Sequence, residues 1–207
     1  MNLPTFETSV DGYERQFAVN HLGHFFLTAL VTKKLIATGA GARVINLSSL
    51  AHFSAGKDLN VSQLPLAKDA YEGSKAYGVS KSANILFTLG LRKRLAGTGV
   101  VTAAGHPGII KTELARYQKG GSNAGLFQYL EMLRGAKIVK TIPEGVATTM
   151  CMAMNDLPSP AEDAGMDELT DRLYFSDCVD AGKYEGRMYK GNVFSAEKAE
   201  QLWTLSQ

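Results

Sequence analysis

The sequence predicts an α/β protein built on a doubly wound parallel sheet, and three observations carry that prediction. Short apolar, β-branched runs recur as "RVINLSS" at 43–49 and "VVTAAG" at 100–105. Each follows a long segment with helical spacing of its apolar residues. Glycine-rich breaks, "TGAGA" and "GTG", separate each helix from the strand after it. Continuous apolar runs mark strands buried on both faces. Their alternation with long helices places them side by side in parallel.

In chain order, Phe17, Leu22, Phe25, Phe26, Ala29 and Leu30 recur at three- and four-residue intervals and predict a helix from Ser9 to about Ile36. Ser9 or Asp11 is its candidate cap. After the first strand, residues 52 to 69 read as a polar loop carrying Pro65. A second helix is expected from about Ala70 to Ala96, then the second strand and a turn, "HPGIIKTEL". A weaker helical pattern spans Leu126 to Val139. Pro143 sits near the first turn of a helix reaching Met154. "RLYFSD" reads as a third strand and "AEKAEQLWTLSQ" as a closing helix.

The bulk numbers exclude several classes of function. With 207 residues, 45% hydrophobic and 20% charged, the chain has the balance of a globular domain. A net charge of +2, with no lysine or arginine run, predicts neither nucleic acid nor a membrane surface as partner. The longest apolar run, Phe25 to Val31, is far below the ~18 residues of a membrane span. "MNLPTFETSV" lacks the basic and apolar regions of a signal peptide. A soluble chain, cytoplasmic or facing an organelle interior, is therefore expected. Cys151 and Cys178 form no CxxC spacing, give no disulfide framework and no metal signature, and fit buried thiols in a reducing compartment.

Three glycine clusters bear on nucleotide binding. A dinucleotide fingerprint follows a strand and opens a helix. Gly39–Gly41 and Gly97–Gly99 instead precede strands and read as helix C-terminal caps. "KGGSN" at 119–123 follows no strand. None of the three predicts a pyrophosphate cradle.

Chemistry concentrates in "DAYEGSKAYGVSKSANILF", which holds two Tyr-x-x-x-Lys pairs, Tyr71 with Lys75 and Tyr77 with Lys81. Residues four apart share a helix face, so a phenol and an ammonium can meet. A tyrosine titrating near ~10 needs about 4 kcal/mol of help to serve as a base at neutral pH. Ser48 and Ser49 end the first strand and "HPGIIKT" ends the second, at the carboxyl edge where open α/β sheets bind ligands. Asn20 is a polar amide inside an apolar helix, where its side chain is disfavoured without a purpose. His21 and His24 read as packing residues and Trp203 as a packing anchor, while His52 and His106, flanking the site, read either as substrate contacts or as solvated loop residues.

Four ordered motifs, "NHLGHF" (20–25), "RVINLSS" (43–49), "YGVSK" (77–81) and "HPGIIKT" (106–112), resemble the short-chain dehydrogenase/reductase family. The likeness is greatest to its retinol-dehydrogenase and protochlorophyllide-reductase-like branch. The resemblance implies that the chain is the carboxyl-terminal portion of a doubly wound Rossmann fold, one partial domain over 1–207 with three strands retained. It implies Tyr77 as general acid/base, Ser49 as hydrogen-bond partner of the substrate oxygen, and Lys81 as the residue that lowers the tyrosine pKa and holds the nicotinamide ribose. Asn20 would support a proton relay through Lys81. Pro107, Gly108, Ile109 and Thr112 would line the nicotinamide end of NADP or NAD. Tyr77, in register with "SANILFTLGL", is then the reactive tyrosine, and Tyr71 a surface coincidence.

The resemblance further implies a small carbonyl or alcohol substrate, lipophilic in some relatives, and no metal. It also implies a homodimer formed through the helices bearing Asn20 and Tyr77. The family's glycine-rich turn and first four strands have no counterpart in the 207 residues, so an open edge is expected on the strand at 43–49. The alternative is a catalytically inactive product that acts through association with a partner chain.

Overall fold

A computed structural model describes residues 2–56, 59–110, 139–181 and 193–207. Strands β1 (Arg43–Leu47), β2 (Val101–His106) and β5 (Tyr174–Ser176) lie side by side and parallel. A two-residue strand β6 (Val179–Asp180) adds antiparallel to β5, giving the order β1-β2-β5-β6. A separate parallel pair joins β3 (Ile109–Ile110) to β4 (Val139–Lys140). The three parallel strands match the expectation, while β6 and the β3–β4 pair are additions too short for a sequence pattern to mark. The described part of the chain is thus a portion of a Rossmann-type α/β sheet.

Helices cover both faces, and strand alternation shows which residue faces which. Helix α2 (Gly73–Arg94) lies on one side, where Val44, Ala104 and Tyr174 point and where Asn46 Nδ2 donates to Thr88 Oγ1 at 2.8 Å. Helix α3 (Ile142–Met154) lies on the other, its buried Met152 packed with Ala103 and Phe175. Its start carries a capping box between Thr141 and Glu144, with Pro143 in the first turn. The short α4 (Met166–Thr170) and closing α5 (Ala196–Ser206) complete the set, with α5 packed along α2. Phe17, Leu86, Leu89, Leu91 and Leu202 fill the main core, each worth about 1.5–3 kcal/mol when buried.

The first helix, α1, is continuous but not uniform. An α-helical turn, Arg15–Phe17, leads into a π-helical stretch, Ala18–Leu22, and then into α-helix Gly23–Thr38. Its cap is neither Ser9 nor Asp11. The Glu14 carboxylate accepts from Gln16 N at 2.7 Å and Phe17 N at 2.8 Å. Ser9 is consumed in the preceding turn, where its amide donates to Tyr13 O and its carbonyl accepts from Gly12 N. The expected polar loop after β1 is built of 3-10 turns, Leu50–Ala55, Val61–Gln63 and Lys68–Ala70, with Leu59, Val61 and Leu64 buried. The helical reading of Leu126 to Val139 falls outside the described residues apart from Val139, which lies in β4.

Two features, a disulfide and a buried arginine, were not announced by the sequence. Cys151 on α3 and Cys178 in the β5–β6 turn are disulfide-bonded, their Cα atoms 5.7 Å apart, rather than separate thiols. No spacing motif could show this, because the pairing arises only when the turn folds back on α3. Arg92 is buried in the core side of α2, and its guanidinium donates to the carbonyls of Leu169 at 3.0 Å and Asp171 at 2.6 Å.

Several apolar surfaces are open. Among the described residues no strand pairs with the outer edge of β1. Phe26, Leu27, Leu30 and Val31 of α1 are exposed, as is Leu47 at the end of β1. On α3, Ile142, Val146, Met150 and Met154 form an exposed stripe at four-residue spacing. A helix apolar on all sides ordinarily calls for burial on all sides.

Candidate active site

The carboxyl ends of β1 and β2 bring the predicted residues together. Ser48 is the anchor: its amide donates to Gly105 O at 2.8 Å and its hydroxyl to Lys81 O at 2.9 Å. That places the next residue, Ser49, at the start of the 50–55 turn, where its Oγ accepts from Ala51 N at 3.2 Å. Tyr77, buried on α2, has the Ser49 side chain near its hydroxyl. The Lys81 ammonium lies 5.7 Å from the Tyr77 ring centre and donates to Leu47 O at 3.2 Å, a carbonyl that also accepts from Asn84 Nδ2.

Burial sets the electrostatics. It raises the Tyr77 pKa above the ordinary tyrosine value, and the nearby Ser49 side chain opposes it only in part. It lowers the Lys81 pKa to about 8. Tyr77 is a protonated, neutral phenol at neutral pH, and Lys81 is charged below about pH 8.

Asn20 sits in the π-helical stretch, a local distortion found often at functional sites. Its Nδ2 donates to Ser80 Oγ at 3.0 Å, and Ser80 in turn donates to Tyr77 O at 2.7 Å. This ties α1 to the turn of α2 that carries Tyr77, through the residue before Lys81. Pro107, Gly108 and Ile109 form the turn after β2, with Gly108 at φ 80°, a conformation glycine adopts without strain. Gly108 N donates to His106 Nδ1 at 3.1 Å. Thr112 lies outside the described residues.

Tyr71 is not a surface coincidence. It precedes α2 and so shares no helix face with Lys75, which is exposed. Its hydroxyl donates to Leu3 O at 2.9 Å and accepts from Gln16 Nε2 at 2.8 Å, while its ring meets Phe6 edge-on. It pins the amino-terminal segment to the approach of α2. His21 is packed among Phe17, Phe25 and Phe87, and His24 is exposed on a different side of α1. No group of residues able to hold a metal occurs among the described residues. Trp203 packs on Phe25 and Phe87 with the Arg94 guanidinium over its ring.

His52 and His106 are fully buried rather than solvated in loops. Burial lowers the pKa of His21 and of His52 to about 4 from an ordinary 6.5. An unfolded chain takes up a proton on each below about pH 6.5, whereas the fold resists protonation until about 4. The stability present at neutral pH should therefore fall across that window, by on the order of 3 kcal/mol per histidine. A melting temperature that stays constant between pH 6.5 and 4 would show that these rings are solvated.

A Rossmann-type sheet with polar residues converging at the carboxyl ends of its parallel strands is the arrangement in which open α/β folds place ligand sites. The family described as "short chain dehydrogenase" matches residues 1–122. The chain belongs to the short-chain dehydrogenase/reductase family, in its retinol dehydrogenase-like branch. It is 35% identical to human retinol dehydrogenase 12 over 205 residues, 97% of this chain and 55% of that protein. It is 49% identical to human retinol dehydrogenase 13 over 110 residues, 53% of this chain and 32% of that one. A chloroplastic short-chain dehydrogenase, TIC 32 A of Brassica napus, is 35% identical over 84% of this chain and 51% of its own. Among solved structures, a putative uncharacterized protein of Mycobacterium paratuberculosis superposes with a TM-score of 0.59 at 28% identity, over 97% of this chain and 60% of that one. The chain spans about half the length of the curated relatives it matches.

Within the described residues no helix is long and apolar enough to cross a membrane.

Proposed function

We propose that this chain supplies the catalytic half of an NAD(P)-dependent oxidoreductase that interconverts a carbonyl and an alcohol. The observation that carries the reading is the buried Tyr77, close to Ser49 and one helical turn before Lys81, at the carboxyl ends of β1 and β2. When bound, the nicotinamide supplies or accepts the hydride at the substrate carbon. Everything else falls to the chain. The Ser49 hydroxyl hydrogen-bonds the substrate oxygen, and the protonated Tyr77 phenol donates its proton there as negative charge develops. Because burial keeps Tyr77 protonated, this half-site favours the reducing direction, carbonyl to alcohol.

The residues fit the nicotinamide-ribose end of such a cofactor. Lys81 has three donors, one of them engaged by Leu47 O, and their chemistry suits ribose hydroxyl oxygens. The turn at Pro107–Ile109 sits at the same sheet edge. Thr112 is assigned to that end by its place in the motif. No described strand is followed by a glycine-rich turn opening a helix, so the pyrophosphate end is not provided by these residues. The substrate class suggested by the retinol dehydrogenases is a lipophilic aldehyde or ketone.

A second reading is favoured by the open apolar surfaces of α1, β1 and α3: the chain works through association with a partner chain that covers them. A homodimer through the helices bearing Asn20 and Tyr77 would engage Phe26, Leu27, Leu30 and Val31.

Calorimetric titration of NADPH and NADH into the folded chain tests the first reading. Saturable binding should appear and should weaken as pH rises through about 8, where Lys81 loses its charge. A folded chain that binds neither nucleotide overturns independent catalysis and leaves association as the reading.

A further inference from the structure

Behind the candidate site lies a buried aromatic cluster that the proposed chemistry does not use. His52, Tyr174 and His106 are 4%, 0% and 2% exposed. They come from three elements: the 50–55 turn, β5 and the end of β2. His52 Nδ1 lies 2.6 Å from Ser49 O, and the Tyr174 hydroxyl lies 3.4 Å from the same nitrogen. The Tyr174 ring meets His52 edge-on at 5.5 Å and lies tilted against His106 at 5.9 Å. His106 Nδ1 then accepts from Gly108 N at 3.1 Å. A side branch reaches the catalytic helix, where Ser82 Oγ, one residue past Lys81, donates to His52 O at 3.1 Å.

We infer that His52, Tyr174 and His106 form a brace that holds the Ser49 turn and the Pro107–Gly108 turn at a fixed separation. Resting on the function proposed above, it makes all three positioning residues. One end of the brace holds the backbone of the serine that meets the substrate oxygen. The other end holds the amide of the glycine that shapes the nicotinamide side. Hydride transfer depends on the distance between those two sides, and misplacement of about 1 Å can cost 10²-fold in rate.

The hydrogen bonds fix opposite tautomers, which ordinary core packing would not require. Ser49 O can only accept, so His52 carries its proton on Nδ1. Gly108 N can only donate, so His106 keeps Nδ1 bare and carries its proton on Nε2. The low pKa of His52 keeps that ring neutral across the physiological range.

Nitrogen-15 NMR of the histidine rings, with hydrogen exchange of the Gly108 amide, tests the brace without any need for turnover. The expected spectrum shows one Nδ1–H and one Nε2–H tautomer for His52 and His106. His106→Leu should speed Gly108 exchange about tenfold, the worth of one net hydrogen bond. His106→Asn, whose side-chain oxygen stands where Nδ1 stood, should restore protection. Tyr174→Phe and His52→Leu keep most of the packing and should still loosen the Gly108 amide from a distance. Identical tautomers, or Gly108 exchange unmoved by Tyr174→Phe and His52→Leu, would overturn the brace. If exchange responds as expected while the unmodified chain binds no NADPH, the brace stands and the functional reading fails on its own.

Discussion

Tyr77→Phe should cut carbonyl reduction by on the order of 10²–10⁴-fold and leave the fold intact. The phenol is buried, protonated and close to Ser49, so on the proposed function its hydroxyl is the group that donates at the substrate oxygen. Its removal leaves the ring, and hence the packing, in place. The structural cost should stay within about 1 kcal/mol. Tyr71→Phe should show the reverse pattern. Its hydroxyl bridges Leu3 O and Gln16 Nε2, so the loss of two contacts should lower stability by roughly 1–3 kcal/mol with the rate per folded molecule unchanged. Turnover with NADPH and a lipophilic aldehyde, measured beside thermal melts, separates the two. A Tyr77→Phe chain that turns over normally would remove the tyrosine from the mechanism. An inactive but stable Tyr71→Phe chain would move the chemistry to the other pair.

Which Tyr-x-x-x-Lys pair reaches the candidate site was half legible in the sequence. The register of "YGVSK" against a long apolar helix singles out Tyr77, and the strand runs around Ile45 and Ala103 were readable as short apolar, β-branched runs, although only β2 is buried throughout. What Tyr71 does instead was not legible. Its partners, Leu3 and Gln16, are 68 and 55 residues away in sequence, and no local pattern reports contacts at that range. The same limit hid the cap of α1. Serine and aspartate outrank glutamate as caps in general, but Ser9 was already spent on its own turn. His52 and His106 looked like solvated loop residues because histidine near turns carries no burial signal. Only the fold of β5 against β2 closes Tyr174 over both. The Cys151–Cys178 bond and the burial of Arg92 are likewise products of long-range closure.

Gly78→Ala should damage the site although it adds a single methyl group and improves helix propensity. Alanine is favoured over glycine inside a helix by about 1 kcal/mol. At this position, however, an added Cβ would stand 2.2 Å from Ser54 Oγ, 2.3 Å from Ala51 O and 3.0 Å from Ala55 N. Two of those atoms are backbone of the turn that Ser49 caps, so no side-chain rotation relieves the clash. Helix α2 and the turn must separate by roughly 1 Å or more to reach ordinary contact distance. That motion pulls Tyr77, the adjacent residue, away from Ser49. The overpacking should cost about 1–3 kcal/mol of stability. The displacement should cost about 10²-fold in rate, well beyond what the stability loss explains. Gly90, on the same helix, supplies the control, because a Cβ there would meet nothing nearer than 3.4 Å. Gly90→Ala should therefore be neutral or stabilising by up to about 1 kcal/mol, with full turnover. If both alanines behave alike, the close approach of α2 to the serine turn is not what aligns Tyr77 with Ser49. If only Gly78→Ala loses activity, the glycine in "YGVSK" is there to bring the helix within reach of the turn that carries the serine.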